Sequence, residues 1–223
     1  MFFRFFSSAA IMAAFIATAG ATPVTVCVPG TLASYVAAGD TGCAVGNYTV
    51  SGFSSGGGAN PAGLAVPASN IWVNPVLTPT GFYLVFTSSG WTVSGAPGQF
   101  VNSVISYVVT AGFGYDITGV GLEFTGSATG TGNPGGSLNY TPQGGNDANL
   151  FVDLSSPSAN AALYTAQLHV INDLEVNTGW AWCSSAWIAE FVNEFSGTTS
   201  STPTNLPETR TFLTTDNIGG NLL

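Results

Sequence analysis

Alternation of apolar and polar residues with a period of two recurs along this chain, and no other feature leaves so few folds open. In residues 117–125, Val120, Leu122 and Phe124 alternate with Gly119, Gly121 and Glu123. That is the pattern of a strand with one face on a core and one toward solvent. Residues 103–110 carry Ile105, Tyr107 and Val109 on one face and Val104 and Val108 on the other. A strand apolar on both sides is expected in a central position, covered twice. Residues 82–87 (FYLVFT) are likewise apolar on both faces. In residues 149–155, Leu150, Val152 and Leu154 are expected to point inward and Asp153 outward. Residues 164–176 read as one long strand. Leu168, Val170, Leu174 and Val176 share a face broken only by Asn172, and His169, Ile171, Asp173 and Glu175 share the other. No alternation of helical and strand patterns runs through the chain, which argues against a parallel α/β fold. The expected fold is all-β, an antiparallel β-sandwich of jelly-roll or Ig-like type.

The segments between these runs are less regular. Residues 71–77 are interrupted by Pro75, which demotes them to an edge or a strand end. Residues 137–141 form another short strand. Residues 186–195 fit a helical stripe through Trp187, Ile188, Phe191, Val192 and Phe195. They fit a strand face through Trp187, Ala189, Phe191, Asn193 and Phe195 equally well, and their aromatic and β-branched surroundings favour the strand. Residues 54–63 (SSGGGANPAG) read as a loop, residues 126–136 as a glycine-rich turn region and residues 197–204 as a flexible linker. The triple glycine is no phosphate cradle, because no Lys-Ser/Thr follows it.

Composition narrows the partners. Only 6% of the 223 residues are charged, there is no lysine, and Arg4 and Arg210 are the only cations against eleven Asp and Glu. Nucleic acids and anionic lipids demand clustered cations, so neither is an expected partner. Hydrophobic residues make up 45% of the chain, which argues against intrinsic disorder.

The N-terminus reads as an export signal. Arg4 precedes an apolar run over residues 9–19, and Ala19-Gly20-Ala21 supplies a small-x-small cleavage pattern. The run is too short to span a bilayer. The expected organisation is a signal peptide over residues 1–21, a β-sandwich over 22–196, and a linker with a C-terminal tail over 197–223. Export places the mature chain, beginning near Thr22, in an oxidising compartment. There Cys27 and Cys43, sixteen positions apart, are expected to form a local disulfide that closes a short N-terminal segment. Metal binding at these cysteines would need two further Cys or His ligands nearby, and the stretch has none. Residues 31–38 (TLASYVAA) suit one or two helical turns capped by Thr31.

Several of these blocks together resemble a family. Cys27 and Cys43 frame Leu32-Ala33-Ser34-Tyr35, and Gly42-Cys43-x-Val45-Gly46 leads into a strand ending at Phe53. Gly81-Phe82, Ile105-Ser106-Tyr107-x-Val109, the ITGVGLEFTG segment and Asn193-x-Phe195 follow. This arrangement resembles exported bacterial proteins of the PEP-CTERM sorting-tail type, over most of the expected mature chain. The resemblance implies a secreted β-sandwich and supplies no catalytic residues. The tail departs from the family pattern. Pro207-Glu208-Thr209 stands in place of Pro-Glu-Pro, and neither a run of roughly 20 apolar residues nor a basic cluster follows. The expected mature chain therefore has no membrane span.

Chemistry-bearing residues are sparse. The single histidine, His169, is two pleats from Asp173, about 13 Å at the usual strand rise, and no Gly-x-Ser-x-Gly elbow occurs. It reads as a solvated residue. Asp173 and Glu175, about 7 Å apart at their backbones, suit a Ca²⁺ ion or a glycosidase pair, or simply keep an exposed face soluble. Trp180 and Trp182 flank Cys183 in a polar, glycine-containing segment and are the candidate sugar contacts. Trp72, Trp91 and Trp187 lie in or beside strands and are expected in the core. Cys183 is the odd thiol. The leading reading is a secreted, non-catalytic envelope or extracellular-matrix protein without cofactor, meeting extracellular polysaccharide or other envelope proteins. The alternative is a carbohydrate-binding module using Trp180 and Trp182. A glycosidase using Asp173 and Glu175 comes third.

Overall fold

A computed structural model describes residues 24–94, 98–130, 134–142, 148–165, 167–177 and 185–199. The N-terminal part runs through strand β1 (Gly30–Thr31), helix α1 (Leu32–Ala38), β2 (Cys43–Val45) and β3 (Tyr48–Asn60). Then come β4 (Trp72–Thr78), β5 (Gly81–Thr87), β6 (Thr92–Ser94), β7 (Phe100–Ala111) and β8 (Tyr115–Thr129). The chain continues through β9 (Gly135–Pro142), β10 (Ala148–Asp153), β11 (Ser158–Thr165), β12 (Gln167–Asn177) and β13 (Ser185–Thr199).

Among the described residues these strands form two antiparallel sheets. One runs β1-β4-β5-β13-β8-β11, with β6 also paired to β13, and the other runs β10-β9-β12-β7-β3-β2. The protein is an all-β antiparallel sandwich, as the alternation implies. Phe82, Leu84 and Phe86 of β5 and Phe191 and Phe195 of β13 enter the core from the first sheet. Val101, Ile105, Tyr107 and Val109 of β7 enter from the second. Aromatic rings pack both within a layer and between the layers. Phe82 stacks on Phe195 with centroids 4.8 Å apart, and Tyr107 meets Phe195 edge-on at 6.3 Å. The buried Asn193 amide donates to the Tyr107 hydroxyl at 2.5 Å.

The N-terminal segment follows expectation closely. Cys27 and Cys43 form a disulfide with Cα atoms 4.9 Å apart. Their segments exchange backbone bonds, Cys27 N to Ala44 O and Ala44 N to Thr25 O, each 2.8 Å. The Thr31 hydroxyl accepts from Ser34 N at 3.3 Å and so caps α1.

Other expectations change. Residues 54–60 are strand rather than loop. A bulge between Ser51 and Ser54 carries β3 onward, and Gly56, Gly57 and Gly58 pair with Val104, Ser103 and Asn102 of β7. The glycines fit because a side chain at Gly57 would run into Asn102 O. β8 likewise extends to Thr129, into the supposed turn region. β13 continues to Thr199, where Gly197, Thr198 and Thr199 pair with Ile117, Asp116 and Tyr115, and Gly197 N donates to Thr80 O at 2.8 Å. Leu154 is 43% exposed rather than inward. It follows β10 in a turn closed by the Asp153 carboxylate, which accepts from Ser155 N and Ser156 N at 2.8 Å. β7 is central in its sheet, between β3 and β12, but only one face meets the core; Val104 and Val108 are half-buried on the other. The run 164–176 is divided between two strands in different sheets, with β11 on β8 and β12 between β7 and β9. Its apolar alternation continues through the change of sheet without a Gly or Pro to mark it.

Strand β13 resolves the ambiguous periodicity of residues 186–195. A register shift against β8 between Ile188 and Glu190 leaves Ala189 as an extra residue. Ahead of it Ala186 and Ile188 are buried; beyond it Phe191, Asn193 and Phe195 are buried. The bulge changes the parity of the strand, so both halves turn their apolar side inward. A bulged strand thus carried a pattern that fits neither period cleanly.

Candidate functional site

The same bulge sends Trp187 outward, into a concavity of the described surface. Trp187 is 43% exposed and Trp72 is 47% exposed. Both line an open groove of about 520 Å³. Trp72 faces out because its neighbours Ile71 and Val73 are both buried and successive strand residues point to opposite faces. The rest of the lining is Asn70, Thr87, Ser88, Ser89, Trp91, Thr92, Ile188 and Ala189. None of these side chains ionises.

The groove walls are held by short hydrogen bonds. The Ser88 hydroxyl donates to Asn70 O at 2.7 Å and accepts from Gly90 N at 3.1 Å, so one side chain ties the two flanking turns. Thr92 N donates to Gly90 O at 2.8 Å, and Ile188 N donates to Trp91 O at 3.0 Å. Trp91, only 1% exposed, lies beneath. Its indole N–H donates to the buried Ser103 hydroxyl of β7 at 3.0 Å and anchors the groove to the opposite sheet. The arrangement offers two exposed aromatic surfaces and a hydroxyl- and amide-bearing wall, all on strands and tight turns.

Of the three tryptophans expected in the core, only Trp91 is there; Trp72 and Trp187 are corrected to exposed positions by strand alternation and by the bulge. Trp180, Trp182 and Cys183 lie outside the described residues. His169, Asp173 and Glu175 are placed by the register of β12. His169 lies opposite Val108 and Thr141, Asp173 opposite Val104 and Ser137, and Glu175 opposite Asn102 and Gly135. These positions are on the sheet that does not carry the groove. Among the described residues no group of three or more His, Cys, Asp or Glu is gathered for a metal ion. No helix of the described residues is long and apolar enough to cross a membrane. The signals for the groove were present in the sequence: Trp72 sits between two β-branched apolar residues, and the double periodicity around Trp187 is what a bulge produces.

No family model matches the chain, and no curated protein matches it. Among solved structures it is similar to TmCBM61 in complex with β-1,4-galactotriose. Identity is 14%, over 69% of this chain and 88% of that one, with a TM-score of 0.30. A family 11 carbohydrate-binding module from Clostridium thermocellum, in complex with a β-1,3-1,4-mixed-linked tetrasaccharide, is 13% identical over 72% of this chain and 93% of its own, with a TM-score of 0.28. The enzymatically active domain of bacteriophage CBA120 tailspike protein 4 is 12% identical over 67% of this chain and 19% of its own, with a TM-score of 0.26. Likeness of this degree carries neither fold nor ligand to this chain.

Proposed function

We propose that this protein is an exported, non-catalytic polysaccharide-binding sandwich of the cell envelope or extracellular matrix. One observation carries the binding reading: Trp72 and Trp187 stand exposed on a rigid, uncharged groove whose wall bears hydroxyls and an amide. Large aromatics bury where they can, and two half-exposed tryptophans in one concavity are what a stacking ligand needs. The site differs from the Trp180 and Trp182 pair that the sequence singles out. The signal-peptide pattern, the resemblance to PEP-CTERM-type exported proteins and the disulfide Cys27–Cys43 support the address.

Retention of the secreted protein on insoluble polysaccharides (cellulose, xylan, mannan, galactan, chitin) tests the reading. Three proteins are compared: the natural chain, the Trp72→Ala/Trp187→Ala variant and the Trp180→Ala/Trp182→Ala variant. The expected result is retention of the natural chain on at least one matrix, lost in the Trp72/Trp187 variant at unchanged melting temperature. Retention on none of them, or retention that survives that double substitution, overturns the site. Loss confined to the Trp180/Trp182 variant moves the site to the other pair.

A further inference from the structure

The geometry of the same groove narrows its ligand, on the premise that it binds polysaccharide at all. Trp72 is on β4, which pairs with β5, and β5 pairs with β13, which carries Trp187. Two strand spacings, roughly 10 Å, therefore separate the two backbones. The residues are also offset along the strands. Phe86 of β5 is the common partner of Val73 and Phe191, so Trp72 is one residue from that level and Trp187 is four residues away on the same side, the bulge residue Ala189 among them. This backbone separation exceeds the width of one pyranose ring, which leaves room for each indole to meet its own unit of a chain.

The groove itself has no charged lining residue, and along β13 and β8 the outer face of the same sheet carries only carboxylates among the described residues. Beyond the bulge, β13 turns Glu190 and Glu194 to the outer face of the sheet, opposite Thr125 and Tyr83, and Glu123 of β8 is exposed opposite Val192. Both cations of the chain, Arg4 and Arg210, are outside the described residues. Carboxylates on this face meet no Lys or Arg among the described residues, so an acidic polysaccharide approaching the groove meets only like charge.

We infer that the groove binds an internal stretch of an uncharged polysaccharide laid across β4, β5 and β13. Trp72 and Trp187 stack on separate sugar units, and Glu123, Glu190 and Glu194 exclude acidic chains. Affinity then grows with chain length until both indoles are covered, and neither tryptophan alone suffices.

Calorimetry on the secreted chain tests this, using neutral hexasaccharides of glucose, xylose, mannose and galactose, the matching monosaccharides, and hexagalacturonate at low ionic strength. The expected result is at least a tenfold gain in affinity from monosaccharide to hexasaccharide for the preferred sugar, and no binding of hexagalacturonate. Trp72→Ala and Trp187→Ala each remove most of the chain-length gain, while Trp72→Phe, which keeps an aromatic face, retains part of it. Glu123→Gln/Glu190→Gln/Glu194→Gln admits hexagalacturonate, with melting temperature reporting that the fold is intact. A monosaccharide bound as tightly as its hexasaccharide overturns the two-unit stacking, and hexagalacturonate bound by the natural chain overturns the exclusion; both leave polysaccharide binding standing. No response to any neutral sugar, together with no retention on insoluble matrices, overturns the binding reading itself.

Discussion

Trp72, Trp91 and Trp187 share a side chain and differ in consequence. Trp91 is buried and its N–H is satisfied by Ser103, so Trp91→Ala is expected to cost about 3–5 kcal/mol in urea denaturation. Ser103→Ala, which strands the indole donor, is expected to cost about 1–3 kcal/mol. Trp72→Ala and Trp187→Ala are expected to cost no more than about 1 kcal/mol, an ordinary substitution. Three equal losses would contradict the division between floor and walls. Tyrosines give a second residue-scale prediction. Burial pushes the Tyr35 hydroxyl up to about 12 while it donates to Val28 O at 2.7 Å. Tyr48 is raised by burial, then by Tyr115 and Asp116, and Tyr140 by burial. The folded chain holds these protons where the unfolded chain releases them. The stabilisation is complete below the ordinary tyrosine value of 10 and falls as pH rises toward about 12. Denaturation midpoints should fall across that window, and less steeply in Tyr35→Phe.

At the scale of elements, two of the departures from a regular ladder change what a strand presents. The bulge in β13 sends Trp187 out and keeps Phe191 in. The bulge in β3, at Gly52 with φ 61°, lets Phe53 enter the core after Val50. Deleting Ala189 removes the extra residue and leaves Ala186, Ile188, Phe191, Asn193 and Phe195 on the core face by simple alternation, so cooperative unfolding should persist; its loss in chemical denaturation would contradict the bulge. The glycine run of β3 is separable in the same way. Gly57 has φ 124° and would place a Cβ against Asn102 O, whereas Gly58 has open space. Gly57→Ala is expected to lose more than about 1 kcal/mol, and Gly58→Ala to be neutral or to gain about 0.4–1 kcal/mol by restricting the unfolded chain. Equal effects in chemical denaturation would mean that residues 54–60 are not paired to β7.

Across the whole molecule, the disulfide-closed loop touches both sheets. Cys27–Cys43 fastens the N-terminal segment beside β2 in one sheet, while β1, inside the closed loop, pairs with β4 of the groove sheet, Thr31 opposite Trp72. Replacing both cysteines by serine is expected to lower stability by about 3 kcal/mol, from a short closed loop, and to leave polysaccharide retention unchanged at temperatures where the chain is folded. Retention that falls with the disulfide would show that the closed loop holds Trp72 in place through the pairing of β1 with β4.

The sequence by itself determined the sandwich, because a period of two is a property of neighbouring residues and needs no partner to be read. It also determined the local disulfide and the Thr31 cap, which join residues sixteen and three positions apart. It could not show that residues 164–176 change sheets. Alternation says which face a residue takes and nothing about which strand it pairs with. Nor could it show that residues 54–60 form a strand, since Gly57 gains its place from β7. The sequence carried a signal for each exposed tryptophan, but their meeting in one groove was decided by tertiary structure. Trp72 and Trp187 lie on strands separated by β5, and only the pairing of β4, β5 and β13, with one extra residue at Ala189, brings both to one face.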